Sequence, residues 1–546
     1  MLRVLSKIKK EKLIEIINKD EYERILDLSS TCQCGDDEKY DNEKLAEYLC
    51  SFYGNELLYN AGVRRIILES LPYDELLKLA SQFKVSHFKT PYDIAFSIAN
   101  SNWTYKSTLV QIFARDLKVP SEYLPSCTSG EEAVELLDPI DVLPPLLEYQ
   151  DKMKESMLSL FKGDSGRALL QLPTGAGKTR TIVETIIKYL VETEYIGSGK
   201  SVIWLAHTDE LCRQAVDTFK YIWQKKGNQT VKLVRLWGKY KPQIYDFYGA
   251  FIVSSFQTMY SMLKHKRANY EELAKTCDML IIDEAHKILA PTYKSVMDGF
   301  LANDNIKIVG LSATPGRGSD QYYDNIALAK LFNKNLLRPD FGEDDAITAL
   351  RKLGVLSKVK RIVKDAPHVI RLTNSEQDSA CTYLDLPNSV LKKLAQDDDR
   401  NKLIISIINE QIKNNNPCLV FACSVDHARL LCAAVNIHGY KAATVDSTMR
   451  IGVRRKNIED FRQGKTDVLF NYGVLSVGFD APRIRTVIIA RPTNSVVLYS
   501  QMIGRGLRGP LMGGTEYCNV VDIKDNYENF GDVEEVYDYF TGYWEK

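Results

Sequence analysis

Residues 172–179 read Leu-Pro-Thr-Gly-Ala-Gly-Lys-Thr and lie between an apolar run, Leu169 to Leu172, and a helical stretch, Arg180 to Val191. A strand, a glycine-bearing loop and a helix in that order form a phosphate cradle, because a helix N-terminus presents backbone N–H groups that have no partner within the helix. Lys178 then reaches the β- and γ-phosphates, and the Thr179 hydroxyl is placed to ligate Mg²⁺. Leu172 stands where the usual G-x-x-x-x-G-K-T pattern has its opening glycine. A loop of this kind commits the chain around it to a βα sheet.

A second segment supports the first. Met279-Leu280-Ile281-Ile282-Asp283-Glu284-Ala285-His286 is an apolar run ending in two adjacent acids. That places Asp283 at a strand tip to hold Mg²⁺, with Glu284 beside it to activate water.

The rest of the chain can be organised around these two segments. Its 546 residues correspond to three or four domains at roughly 150 residues each. Residues 1–140 repeat apolar side chains at three- and four-residue steps, as in Leu13, Ile14, Ile16 and Ile17 or Leu57, Leu58, Val63, Ile66 and Ile67, which predicts a helical front. Pro120 to Pro145, with five prolines among turn residues and acids, reads as a linker. Short apolar runs separated by helical stretches follow: Leu169 to Leu172, Ser201 to Ala206, Phe251 to Ser255, Met279 to Ile282 and Ile306 to Leu311. After a polar, Leu-rich connection the alternation resumes at Cys418 to Ala422, Ala442 to Val445, Asp467 to Phe470, Thr486 to Ile489 and Asn519 to Val521. Runs buried on both faces and joined by helices belong to parallel sheets with right-handed crossovers, so the fold class is α/β with two tandem domains behind a helical one. The expected boundaries are 1–140, 141–337, a connection 338–395, 396–525 and a tail 526–546.

Charge separates the front from the body. Lys plus Arg and Asp plus Glu are both 71, yet residues 1–145 hold 17 basic and 24 acidic side chains against 54 and 47 in residues 146–546. The acidic front is a poor independent ligand for a polyanion, whereas the basic body permits one. Eleven cysteines are scattered without C-x-x-C spacing, and no run of about 18 apolar residues or apolar leader occurs, which reads as a soluble, cytoplasmic chain. Cys32 and Cys34 lack the second close pair that a zinc site needs. His87-Phe88-Lys89 with Asp93 misses the HxKxxxxD nuclease spacing by one residue, and Arg64, Arg65, Trp103 and Tyr105 read as helix surface and core.

Taken in order, the motifs resemble those of superfamily 2 helicases and translocases, in the DEAH-containing, restriction-subunit-like branch, over residues 145–525. The resemblance implies two RecA-like domains that hydrolyse ATP, with Mg²⁺, between them. Tyr149 and Gln150 match the adenine-contacting segment, with Gln150 on the base edge. Thr174, Gly175, Ala176, Gly177, Lys178 and Thr179 match the phosphate loop. Ala206 to Leu211, with His207, and Ser255 to Thr258, with Gln257 and Thr258, match loops that touch the nucleic-acid backbone. Ser312 to Pro315, with Ser312 and Thr314, match the segment that couples hydrolysis to domain movement beside His286. Val420 to Ser424 and Asn471 to Asp480 match second-domain segments, with Ser424 and Ser476 toward nucleic acid and Gly478 and Asp480 toward the cleft. Gln501 to Arg508 completes the set. A guanidinium is always charged and matches phosphate oxygens, so Gln501, Arg505 and Arg508 are expected to act on the γ-phosphate from the second domain.

By the same resemblance the expected activity is an ATP-driven DNA translocase or helicase working in phage defence or DNA repair, with DNA as polymer and an effector or nuclease as partner protein. Two other readings stay open: an RNA-dependent ATPase or RNA helicase, and a DNA-sensing ATPase switch for a partner effector.

Overall fold

The computed structural model describes residues 1–525 apart from 29–40, 84–89, 126–132, 138–142, 144, 164–165, 194–196, 304, 317–321, 369–372, 374–375, 377–385, 475–480 and 494. The Cys32/Cys34 and His87-Phe88-Lys89 segments, Ser476, Gly478, Asp480 and the 526–546 tail lie outside the described residues.

The strands are β1 (Val134–Leu137), β2 (Arg167–Gln171), β3 (Ser201–Ala206), β4 (Val231–Leu236), β5 (Ala250–Ser255), β6 (Cys277–Asp283), β7 (Lys307–Ser312), β8 (Leu336–Leu337), β9 (Lys358–Asp365), β10 (Cys418–Phe421), β11 (Ala442–Asp446), β12 (Val468–Tyr472), β13 (Thr486–Ile489) and β14 (Tyr517–Lys524). They form two sheets, ordered β1-β4-β5-β3-β6-β7-β2-β8 and β11-β12-β10-β13-β14-β9. Every pairing within them is parallel except β1 with β4. β3, β5, β6 and β7 are buried along their whole length, as strands covered by helices on both faces must be.

Two features depart from the sequence expectation. The linker contributes β1, which extends the first sheet antiparallel to β4, and the Glu135 carboxylate of β1 pairs with the buried Arg235 of β4 at 2.7 Å. The 338–395 connection contributes β9, which lies parallel to β14 at the edge of the second sheet. Its exposed and half-buried residues are those of an edge strand, which explains why no apolar run marks it.

The front is helical, with side-chain N-caps from Asp41, Asn60, Thr90 and Ser107. Arg64 donates to the Ala99 and Leu58 carbonyls and stacks on Trp103, so this group is a structural staple. Although it precedes the first sheet in the chain, the front shares one apolar core with the second: Tyr22, Ile25, Leu45 and Leu49 belong to the same cluster as Ile404, Leu431 and Val435. Helix Asn42–Tyr53 packs along helix Val425–Ile437. Arg24–Asp398 at 2.6 Å, Asn55–Asn457 at 3.2 Å and Arg450 stacked 3.8 Å over Tyr59 border this contact. Exposed ion pairs contribute at most about 1 kcal/mol, whereas burying one Leu or Ile contributes about 1.5–3 kcal/mol. The apolar face therefore decides the docking, and the polar contacts set its register.

Candidate active site

The parallel sheets carry their loops at the C-terminal strand ends, and the two domains bring those ends face to face. β2 runs into the phosphate loop, where Gly175 and Gly177 adopt left-handed backbones with φ of 92° and 81°. A side chain on Gly177 would also overlap the Gln150 amide, so glycine is required there on two counts. Leu172 is fully buried in the core, and its carbonyl accepts from the Lys178 ammonium at 2.8 Å. Glycine's freedom is needed later in the loop, and the Leu172 side chain fills the space beneath it.

A cavity of about 260 Å³ opens between the domains, lined on one side by Thr174, Gly175, Gly177, Lys178, Thr179, Asp283 and Glu284 and on the other by Arg505 and Arg508. Asp283 ends β6, and one of its oxygens accepts from the Glu284 backbone N–H at 3.0 Å. Burial and the neighbouring Glu284 push the Asp283 carboxyl well above the usual range, and Lys178 opposes that shift. Burial pulls Lys178 down while the two carboxylates hold it up. Glu284 itself has a left-handed backbone, φ 51°. Across the cleft, Gln501 Nε2 donates to Glu284 Oε2 at 3.3 Å.

Around this centre, His286 Nδ1 lies 3.1 Å from Ser312 Oγ and 3.4 Å from Glu284 Oε2. The Ser312 hydroxyl donates to the Thr314 carbonyl at 2.5 Å and accepts from the Thr314 N–H at 3.2 Å. Tyr149 and Gln150 stand behind the phosphate loop, both donating to the Ala176 carbonyl, while Gln150 Oε1 accepts from the Leu147 N–H. Tyr149 faces a separate cavity with Phe341 and Leu511. Away from the cleft, Gln257 Nε2 donates to the His207 carbonyl at 2.9 Å, and both residues line a cavity of about 590 Å³ with Thr258. The Ser424 hydroxyl caps helix Val425–Ile437 by accepting from the His427 N–H.

Leu211, Gln214 and Thr218 also line the cleft, from helix Asp209–Lys226. Their spacing of three and four residues puts them on one face, a signal available in the sequence. Met512 completes the lining, and nothing in its local sequence marks it. The cavity fits Mg²⁺ and ATP: Lys178, Arg505 and Arg508 converge where phosphates would lie, and Thr179 and Asp283 offer the oxygen donors that Mg²⁺ takes when phosphates and waters fill its other positions.

Gly504 sets how closely the two halves meet. A methyl group there would lie 2.6 Å from the Thr174 Cβ across the cleft. The Ser500 carbonyl, in the second domain itself, would lie 2.9 Å away as well. Overpacking of this kind costs about 1–3 kcal/mol, so Gly504→Ala is expected to lower turnover about ten- to hundredfold and to lower the melting temperature by a few degrees. Steady-state ATPase beside a thermal melt checks this.

Residues 144–317 match the family model for the res subunit of type III restriction enzymes, and residues 399–509 match the helicase conserved C-terminal domain, just over half of the chain together. A Saccharomyces cerevisiae protein bearing the name ATP-dependent helicase IRC3 is 28% identical over 389 residues, covering 69% of this chain and 51% of its own. The type I restriction enzyme EcoAI endonuclease subunit of Escherichia coli is 23% identical, covering 70% and 46%. The chain thus spans about half the length of these curated relatives. The DUF1998 helicase MrfA, solved with DNA and AMPPNP, superposes with a TM-score of 0.51 at 14% identity, covering 80% of this chain and 58% of that one, which shows a shared fold. The two matched models contain the two walls of the cleft, and the chain belongs to the ResIII-type branch of the superfamily 2 helicases.

Proposed function

We propose that the chain hydrolyses ATP in this cleft and uses the cycle to translocate on or unwind DNA, in phage defence or DNA repair, alongside an effector or nuclease partner. The observation that carries this reading is the division of the chemistry between domains: Lys178, Thr179, Asp283 and Glu284 on one wall, Gln501, Arg505 and Arg508 on the other. ATP with Mg²⁺, when bound, supplies the phosphoryl group that is transferred to water. Lys178 balances phosphate charge, Thr179 and Asp283 hold the metal, and Glu284 takes a proton from the attacking water. Arg505 and Arg508 complete the site only when the domains close, so each turnover is tied to closing and reopening. If each domain grips a different stretch of backbone, that motion becomes displacement. The restriction-subunit family model supports DNA as the polymer, and the mildly basic body is compatible with it. Among the described residues no helix is long and apolar enough to cross a membrane.

Steady-state ATPase with no polymer, single-stranded DNA, duplex DNA, forked DNA and RNA tests the assignment, with Glu284→Gln as blank. DNA is expected to stimulate and RNA to do little. Stimulation by RNA alone would overturn the polymer, and DNA stimulation without displacement of a roadblock would leave a DNA-sensing switch.

A further inference from the structure

Lys287 follows His286 in the turn that carries Glu284, and the mechanism above does not use it. Its ammonium lies 2.7 Å from His207 Nε2, on the first loop matched to backbone contact. Burial pulls the Lys287 pKa down, while the Glu284 and Asp283 carboxylates hold the ammonium form. An ammonium has donors and no acceptor, so Nε2 accepts. The single proton of the neutral ring then sits on Nδ1. Burial and the Lys287 charge pull the His207 pKa down to about 3, so the ring is neutral at ordinary pH. Nδ1 is buried and has no hydrogen-bond partner among the described residues. A buried donor left unpaired costs about 1–3 kcal/mol, which an incoming acceptor can recover.

The surroundings indicate which acceptor. His207 lines the 590 Å³ cavity with Lys241, Lys266, Thr258 and Gln257, and Asp209 is the carboxylate there. The ammonium, hydroxyl and amide groups that share this cavity with His207 suit a phosphodiester oxygen. The inner end of the link is short and stiff. Lys287 N–H donates to the Glu284 carbonyl at 3.0 Å across a single turn, Ala285–Lys287.

We propose that Lys287 is a positioning residue: it fixes His207 as the Nδ1–H tautomer, that N–H takes a phosphate oxygen of the bound polymer, and the Lys287–His207 bond carries the polymer's arrival to the turn holding Glu284. The proposal rests on the polymer-driven reading of the site and adds to it a specific coupling contact.

Two measurements on the full chain test it. Long-range ¹H–¹⁵N correlation spectra of histidine-labelled protein, assigned with His207→Gln, are expected to show His207 as Nδ1–H, to show mixed tautomers in Lys287→Met, and to shift at Nδ1 when oligo(dT) or duplex DNA is added. An Nε2–H tautomer in the wild type, or no change in Lys287→Met, overturns the pairing, and this readout does not depend on hydrolysis. In ATPase assays the ratio of DNA-stimulated to basal rate is expected to fall about tenfold in Lys287→Met, within the range of ordinary coupling energies, and to recover in Lys287→Arg. The double variant with His207→Gln should be no worse than either single one. An unchanged ratio, or additive losses, overturns the coupling. A wild type that no polymer stimulates overturns the motor reading and the coupling with it, while the tautomer spectra still decide the pairing.

Discussion

Glu284→Gln is expected to bind ATP normally and to hydrolyse it about 10³-fold more slowly, the scale of a lost general base. The carboxylate is buried, 3.4 Å from His286 Nδ1, with Gln501 Nε2 donating to one oxygen from the opposite domain. A glutamine keeps the shape, and its amide oxygen still accepts from Gln501, so the closed geometry survives while proton acceptance is lost. Single-turnover hydrolysis beside binding of a fluorescent ATP analogue separates the two. Full DNA-stimulated turnover in the variant would show that another group activates the water.

Arg505→Ala is expected to cost about 10³-fold or more in the hydrolytic step, as for other arginines supplied to a γ-phosphate from outside the phosphate-loop domain. Arg505 lines the cleft opposite Lys178, and its charge is felt at both Lys178 and Asp283. Arg505→Lys should rescue little, because a point ammonium lacks the planar fork that matches two phosphate oxygens. Measured as single-turnover rate against ATP affinity, the loss should fall on the rate. A loss confined to affinity would make Arg505 a ground-state binder and shift the transition-state role to Arg508, which lines the same wall.

Legibility in the sequence follows burial. β3, β5 and β6 each contain an uninterrupted apolar run (Val202 to Ala206, Ala250 to Val253 and Met279 to Ile282), so their existence and order could be read directly. β4 could not, because Val-Lys-Leu-Val-Arg-Leu carries two charges. The buried Arg235 is paired with Glu135, a hundred residues upstream in a strand that the linker's prolines and acids conceal. β9 escaped because an edge strand with exposed side chains has no periodic signature. In the site, the phosphate loop and the paired acids are contiguous in sequence and announce themselves. Gln214 and Thr218 share a helix face that their spacing marks, whereas Met512 reaches the cleft only because a distant turn converges there.

The sequence by itself determined the local chemistry: which loop turns left-handed at Gly175 and Gly177, which strand ends in Asp283 and Glu284, and that two such sheets follow one another. Those features depend on neighbours within a few residues, where steric and hydrogen-bonding rules act directly. Only the tertiary structure decided that the helical front docks on the second sheet rather than on the first, which it precedes in the chain. It also decided that Gly504 lets the second domain approach Thr174 and that Lys287 meets His207. Each of these is a contact between segments far apart in sequence, set by which apolar faces remain to be buried once the sheets have formed, and no local pattern encodes that choice.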